Sequence, residues 1–230
     1  MARKKIPRKK LLKEPDEFQT LSARAIEWAG GHRTQLIWTV SIVLFLAAGY
    51  AALRFHTART NAQALALLER NIARYHQALK SDGAAKAYDA VRPAFEQLLT
   101  RYGGSTCAQR ATLYYANISY AAGKYDQALA LYRRELDGFR DSPLLKNLIR
   151  CSVAYAQEAE RTYPPAIASF QQILNAPVTS LKDEALFNLA LVYAATGDVA
   201  KERAALQKIV SQHKDSLYFE LASERIAELK

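Results

Sequence analysis

The chain of 230 residues carries 32 lysine and arginine residues against 22 aspartate and glutamate residues, which gives a net charge of +10. Half of that excess lies in one seventh of the length, because residues 1–34 contain nine basic and four acidic side chains. A basic segment beside a membrane is attracted to anionic lipid head groups without any nucleic acid. Since the rest of the sequence has no nucleic-acid motif, we expect no nucleic-acid partner.

One apolar stretch interrupts the amino-terminal region. Residues 36–53, LIWTVSIVLFLAAGYAAL, begin at Leu36, end at Leu53 and contain no charge. As a helix this stretch reaches about 27 Å, close to the roughly 30 Å hydrocarbon core of a bilayer. A cleaved signal sequence is the alternative, but the stretch is longer than the usual apolar part of a signal and follows 35 other residues. We therefore predict a transmembrane helix over residues 35–54.

The basic residues predict how this helix is oriented. Residues 1–34 carry nine of them, and this excess favours a cytoplasmic amino terminus. The domain that follows residue 54 is then expected on the opposite side of the membrane. Residues 1–34 form the basic tail, in which Phe18, Leu21, Ala25 and Trp28 share one helical face. This short helix either lies on the cytoplasmic leaflet or packs on nothing, and both alternatives stay open.

Beyond the apolar stretch the sequence repeats. Four serines recur at intervals of 37, 38 and 36 residues, each between two apolar segments: Ser105, Ser142, Ser180 and Ser216. Each serine is placed to cap a helix, with Pro143 at a first helical position and Asp183 completing a Ser-x-x-Asp capping box after Ser180. Periods of this length indicate stacked supersecondary units. The predicted repeats are residues 105–141, 142–179 and 180–215.

Each repeat is predicted to contain two antiparallel helices. Apolar residues are spaced three and four apart, and the pattern breaks at Gly123 in the first repeat and at Gly197 in the third. In the third repeat Val199, Leu206 and Ile209 are expected to face inward. The middle repeat has the same apolar spacing but no glycine at the corresponding turn.

These residues resemble the tetratricopeptide repeat. In the first repeat Ala116, Gly123, Tyr125, Ala128 and Tyr132 match its small and aromatic positions, whereas in the third Glu202 replaces a small residue. The resemblance implies an all-α solenoid whose inner face, lined by the first helix of each repeat, binds other proteins. It assigns to that face Leu113, Asn117, Tyr120, Tyr155, Phe187 and Leu191. For each of these residues, packing between repeats is the alternative role.

Two helical segments flank the repeats. Residues 55–104 predict a membrane-proximal pair, with a seam on its first helix, a turn at SDGAA and a returning helix that carries Tyr88, Phe95 and Tyr102. The seam pairs either within the chain or with a second copy as a homodimer, and it consists of Leu65, Leu68, Ile72, Tyr75 and Leu79. At the other end, residues 216–230 predict a capping helix with Leu221 and Ile226 inward.

Motifs for chemistry are not found in the sequence. The four histidines are scattered, and there is no Gly-rich phosphate loop, nucleophile elbow or His-Glu-x-x-His helix. Cys107 and Cys151 are expected to be buried thiols rather than a disulfide. We therefore expect no enzyme activity, catalytic residue, cofactor or metal.

A basic tail, one anchor and an outward repeat domain resemble the layout of the ancillary subunit family of the bacterial SecYEG translocon. That resemblance implies a single-pass inner-membrane protein with a periplasmic repeat domain. Its expected partners are the translocon, periplasmic chaperones or newly exported proteins. The alternative is an assembly factor that organises cell-wall, division or outer-membrane assembly proteins by oligomerising through the seam.

Overall fold

The computed structural model describes residues 17–139 and 142–229, so the predictions for the first sixteen residues lie outside the described part. Within it the chain is all-α, as predicted. The chain divides into two compact units, Met1–Ala58 and Arg59–Lys230. The described helices are α1 (Glu17–Gly31), α2 (Arg33–Tyr102), α3 (Thr106–Ala121), α4 (Tyr125–Leu136), α5 (Pro143–Ala159), α6 (Tyr163–Leu174), α7 (Lys182–Ala195), α8 (Val199–Gln212) and α9 (Phe219–Glu228).

The amino-terminal unit contains α1 and the beginning of α2. The predicted helix before the apolar stretch is confirmed by α1, at whose end the ring of Trp28 stacks on that of His32, 4.8 Å between centroids. In the described part of the chain, α2 is the helix long and apolar enough to cross a membrane, and its apolar window has no buried residue. Helices that are apolar on all sides need an apolar surrounding, such as a bilayer.

The second unit begins with a helical pair made from the rest of α2. Its backbone is non-helical at Gly83, where φ is 79°, inside the predicted SDGAA turn. Glycine fits here because a positive φ costs other residues about 1–2 kcal/mol. Both sides of this break contribute to one apolar cluster, which includes Leu68 and Tyr75 before it and Phe95 and Leu98 after it. Thus the predicted returning helix is confirmed.

Tyr115 of α3 joins this pair to the first repeat. Its ring lies 6.0 Å from that of Tyr88 and 5.3 Å from that of Phe95, centroid to centroid. Gln127 of α4 donates to the Tyr115 hydroxyl at 2.8 Å and accepts from the Tyr88 hydroxyl at 2.6 Å. The membrane-proximal pair and the repeats therefore share one packed interior.

The turn inside each repeat has the same geometry. Gly123 and Gly197 have φ of 73° and 75°, and each is followed by an amide that bonds back to the helix, at 2.8 Å from Lys124 N to Ser119 O in the first repeat. In the middle repeat Arg161 takes this position with φ of 61°. In all three repeats a residue in the left-handed backbone conformation thus ends the first helix. In the middle repeat this residue is not glycine.

The serines do not all cap helices, which corrects the prediction. Ser105 does, accepting a hydrogen bond from the Ala108 amide at 3.1 Å, whereas Ser142 occupies the cap position without such a bond. Ser180 is not the cap of α7, because Leu181 precedes the helix with φ of 71° and no capping bond forms. The capping box with Asp183 is therefore wrong. Asp183 instead accepts from the Ser216 hydroxyl at 2.6 Å, a contact between the third repeat and the closing segment.

The closing helix α9 uses a different face from the predicted one. Ala222 is fully buried and Ile226 packs against the same cluster, but Leu221 is 51% exposed, so its inward placement is wrong. Glu202 of α8, 3% exposed, pairs with Arg225 of α9, with 2.8 Å between Glu202 Oε1 and Arg225 Nε. A carboxylate therefore occupies the family's small-residue position, and the closing helix supplies its partner.

The burial of individual side chains tests two further predictions. Leu206 and Ile209 of α8 are buried, but Val199 at its first position is 47% exposed, so that part of the prediction is wrong. Cys107 and Cys151 are free and buried, as predicted.

The seam is used largely within the chain. Leu68 and Tyr75 are buried in the first cluster and Ile72 packs against it, while Leu65 and Leu79 remain 41% and 37% exposed. The central three residues therefore contribute to the interior of the second unit, and a homodimer through the seam stays a prediction.

Candidate protein-binding surface

The first helices of the three repeats are α3, α5 and α7, and each packs against the second helix of its own repeat, α4, α6 or α8. Small residues at the middle of the first helices permit this approach: Ala116, Ala154 and Ala190 are at most 2% exposed. Ala128 and Ala166 on two of the second helices are fully buried. We call the side of α3, α5 and α7 that carries the six predicted binding residues the first-helix face.

Three of the six residues are open to solvent. Asn117 is exposed, Tyr120 is 37% exposed and Leu191 is 45% exposed. Asn117 accepts a hydrogen bond from the Tyr132 hydroxyl at 2.5 Å, and the ring of Tyr120 lies 5.5 Å from that of Tyr125. These contacts fix the side chains while leaving part of each free to touch another molecule.

The other three residues pack largely inside the repeats. Leu113 lies against the cluster shared by the first and second repeats. Tyr155 donates to a carboxylate oxygen of Glu184, accepts from the Asn188 amide at 3.2 Å and is half-buried. Phe187 stacks on Tyr218 with 4.7 Å between ring centroids. The alternative of packing between repeats thus fits Leu113, Tyr155 and Phe187 better than Tyr120 or Leu191.

Glu158 adds a carboxylate to the first-helix face. Its half-buried carboxylate has no hydrogen-bond or ion-pair partner among the described residues, and burial raises its pKa. The pKa of Tyr120 is raised by burial first, then by Tyr125 and by Glu158. This electrostatic coupling between α3 and α5 places the carboxylate near the exposed Tyr120 ring. An amide or ammonium donor on a bound segment would pair with it.

Several exposed apolar residues on these helices were not predicted. Tyr114 of α3 is 47% exposed, and Leu144, Leu145 and Leu148 of α5 are 45%, 39% and 43% exposed. The signal for the leucines was present, because Pro143 at the helix start places them in its first two turns. Tyr114 borders a cavity of about 200 Å³ together with Ile72, which extends the open surface to the membrane-proximal pair.

Groups for catalysis are not brought together on this surface. In residues 17–139 and 142–229 no three metal-ligating side chains cluster. Burial raises the pKa of Cys151 to about 12, so its thiol stays protonated near neutrality and is a poor nucleophile. The arrangement offers apolar area, aromatic edges and hydrogen-bonding groups, which is the chemistry of protein recognition.

The helical pairs and their turns have counterparts in known proteins. A model of the tetratricopeptide repeat-like domain matches residues 27–185, more than half of the chain, and a tetratricopeptide repeat model matches residues 184–216. The chain belongs to the tetratricopeptide repeat-like domain family. No curated protein matches the sequence. The family is one of helical repeats whose typical role is protein interaction rather than catalysis.

The comparison with solved structures found two that resemble this chain over part of their length. One is a tetratricopeptide repeat protein from Parabacteroides merdae ATCC 43184, 15% identical, with a TM-score of 0.53 over 71% of this chain and 60% of that one. The other is BtubC (BKLC) from P. vanneervenii, 15% identical, with a TM-score of 0.46 over 75% of this chain and 82% of that one. This chain therefore spans about 60% of the length of the first structure, and at that identity the likeness shows the fold alone.

Proposed function

We propose that this protein is a membrane-anchored scaffold that binds other proteins of the bacterial cell envelope through its first-helix face. The observation that carries the proposal is the exposure of Tyr120 and Leu191, together with Leu148, on the first helices of successive repeats. Exposed aromatic and aliphatic side chains on neighbouring elements are typical of surfaces that bind another protein. The family, whose repeats bind proteins, supports the same role.

The chemistry of the face defines the bound segment. Apolar side chains of a partner would cover Tyr120 and Leu191, and a nearby donor would pair with the carboxylate of Glu158. We propose unfolded or extended segments as the ligands, since they present both groups at once. Newly exported chains, periplasmic chaperones and the Sec translocon are the candidate partners, because the layout of tail, anchor and repeats resembles the ancillary translocon subunit family.

An uncleaved anchor is part of the proposal. The family match starts at residue 27, before the apolar stretch, so that stretch is included in the matched domain. We propose a single-pass inner-membrane protein with a cytoplasmic amino terminus and a periplasmic repeat domain. Protease added to intact spheroplasts should then digest the repeat domain. Protection of that domain, under conditions that digest a periplasmic control protein, would contradict this orientation.

Site-specific crosslinking in membranes tests the binding face. A photoreactive amino acid at Tyr120 or Leu191 should capture translocon, chaperone or client polypeptides. The matched control is Ala130, which is exposed on the second helix α4 and should capture much less. Failure to capture at both test positions, or equal capture at Ala130, would reject the first-helix face as the binding surface.

A further inference from the structure

A second surface feature lies away from the first-helix face, between α6, α7 and α8. These helices enclose a cleft of about 610 Å³. One side of α7 forms its floor, along which Lys182, Leu186, Leu189 and Tyr193 follow at intervals of three or four residues. These positions differ from Phe187 and Leu191, so α7 contributes to two separate surfaces. We call this cleft, which is contained within the second unit, the lysine cleft.

The charge of the lysine cleft has one sign. Lys182, Lys201, Lys208 and His213 line it, and none of its described lining residues is acidic. Lys201 is paired, at 2.6 Å from Asp198 Oδ2. The ammonium groups of Lys182 and Lys208 make no hydrogen bond or ion pair with any residue in 17–139 or 142–229. Two cationic groups beside the cleft are thus available to an anionic ligand.

The remaining walls match a peptide better than a simple anion. Leu174 of α6, which is half-buried, and Ala204 of α8, which is exposed, present apolar surface beside the lysines, and Gln171, Asn175 and Gln212 add carboxamides. A carboxamide both donates and accepts hydrogen bonds, as a peptide backbone does, whereas a deprotonated phosphate oxygen only accepts. The floor from Lys182 to Tyr193 rises about 16 Å along α7. An extended segment of about five residues spans that length.

We propose that the lysine cleft binds an acidic segment of a partner protein. Carboxylates of the segment pair with Lys182 and Lys208, and an apolar side chain of the segment lies over Leu174 and Ala204. Charge complementarity selects the acidic segment, and the apolar wall at Leu174 and Ala204 distinguishes it from a free anion or a lipid head group. This site is independent of the first-helix face, so the protein offers two different binding surfaces for polypeptides, and α7 contributes to both.

Fluorescence anisotropy tests this proposal with the full-length protein in neutral dodecyl maltoside micelles. The probe is a fluorescein-labelled octapeptide in which glutamate alternates with leucine. We expect saturable binding that weakens as salt rises, because the lysines remain partly hydrated. The same peptide with glutamine in place of glutamate, or with serine in place of leucine, should bind at least about tenfold more weakly.

Variants locate the site. Lys182→Glu with Lys208→Glu should weaken binding at least about tenfold, since each lost and reversed pair contributes about fivefold or more. The matched control is Lys80→Glu with Lys86→Glu, which changes the net charge equally at two exposed positions outside the cleft and should change affinity by less than about twofold. If the double glutamate variant has a lower thermal midpoint than the unchanged protein, the milder variant Lys182→Gln with Lys208→Gln is used in its place. It should still weaken binding of the peptide.

Four outcomes would overturn the proposal. Three are the absence of saturable binding, equal weakening by the two charge-reversal pairs, and equal affinity for the glutamine and glutamate peptides. The fourth is displacement of the probe by inorganic phosphate, or by vesicles of anionic phospholipid, at constant ionic strength, which would assign the cleft to a simple anion or a lipid surface. Loss of binding here leaves crosslinking at Tyr120 unaffected, so this test and that of the first-helix face are separable.

Discussion

The apolar stretch of residues 36–53 and the repeats use similar side chains in opposite ways. In the stretch, ten large apolar side chains from Ile37 to Leu53 are 54–79% exposed. In the repeats, residues such as Phe170, Ile173 and Ile209 are fully buried. The difference follows from spacing, because a continuous apolar run covers all sides of a helix, whereas residues three and four apart cover one side that a neighbouring helix can bury.

This contrast shows that the two regions are stabilised by different surroundings. Each repeat helix packs on the next along the chain, so the repeat domain supplies its own apolar interior. The stretch has no such neighbour in the described part of its unit, since none of its apolar window is buried. In the proposed anchor lipid covers these side chains, so substitutions in the two regions should affect different measurements.

The largest expected effect comes from emptying the repeat core. Phe170 is fully buried and its ring contacts that of Tyr155, with 5.8 Å between centroids. Phe170→Ala should lower the free energy of unfolding by about 3–5 kcal/mol, because it removes a large apolar side chain and leaves a cavity. Denaturant titration of the protein in detergent measures this. Leu221→Ala is the control, and a loss there above about 0.5 kcal/mol would contradict the outward placement of Leu221.

A charge in the apolar stretch should act on membrane association instead. Leu44 is 63% exposed, and Leu44→Arg near the middle of the stretch should cost about 2.5–3.5 kcal/mol of insertion free energy. The fraction retained in the membrane pellet after alkaline extraction should fall, while the unfolding of the repeat domain is unchanged. Phe45→Leu is the apolar control. Equal retention of Leu44→Arg and Phe45→Leu would argue that lipid does not surround this helix.

The ion pair between α8 and α9 predicts an asymmetry. Arg225→Ala leaves the buried carboxylate of Glu202 without a partner, which costs about 1–3 kcal/mol, whereas Glu202→Ala restores the small residue typical of the family and leaves Arg225 in water. Arg225→Ala should therefore lower the thermal midpoint more than Glu202→Ala does. The reverse order would indicate that the closing helix is held by its apolar contacts alone.

The turn of the middle repeat should respond most weakly. Arg161 has a positive φ, which is strained for a residue with a side chain. Arg161→Gly removes this strain, but glycine also has more conformational freedom in the unfolded state. The free energy of unfolding should therefore rise by no more than about 1 kcal/mol. Gly123→Ala is the opposite change at the equivalent position of the first repeat. A Cβ added at Gly123 would meet no other atom within 4 Å, so the substitution should lower the free energy of unfolding by about 1 kcal/mol through backbone strain alone. Destabilisation by Arg161→Gly would mean that the arginine side chain matters more than the backbone.

Features set by local spacing were predictable from the sequence. The helix pairs, the turns at Gly83, Gly123 and Gly197 and the burial of both cysteines follow from periodicity, glycine and small apolar side chains. Arg161 was not predictable as a turn residue, since only the surrounding helices force it into a conformation that its own preference opposes.

Features set by contacts between helices were predicted less well. Ser180 looks like a helix cap in the sequence, yet Asp183 is engaged by Ser216 from the closing segment. Leu221 was placed inward, but the small Ala222 allows the closer approach of α9. On the first-helix face the same limit applies: the family pattern predicts which residues form the face, while the exposure of Leu148 and the internal bond of Tyr155 depend on neighbouring helices.

The central claim is that the apolar surface of the stretch contacts lipid and the apolar surface of the repeats contacts other polypeptides. The most direct measurement places the same photoreactive amino acid at Phe45 or at Tyr120 in native membranes and weighs the crosslinked products by mass spectrometry. We predict phospholipid adducts from Phe45 and polypeptide adducts from Tyr120. Polypeptide adducts from Phe45 alone, with none from Tyr120, would contradict the account.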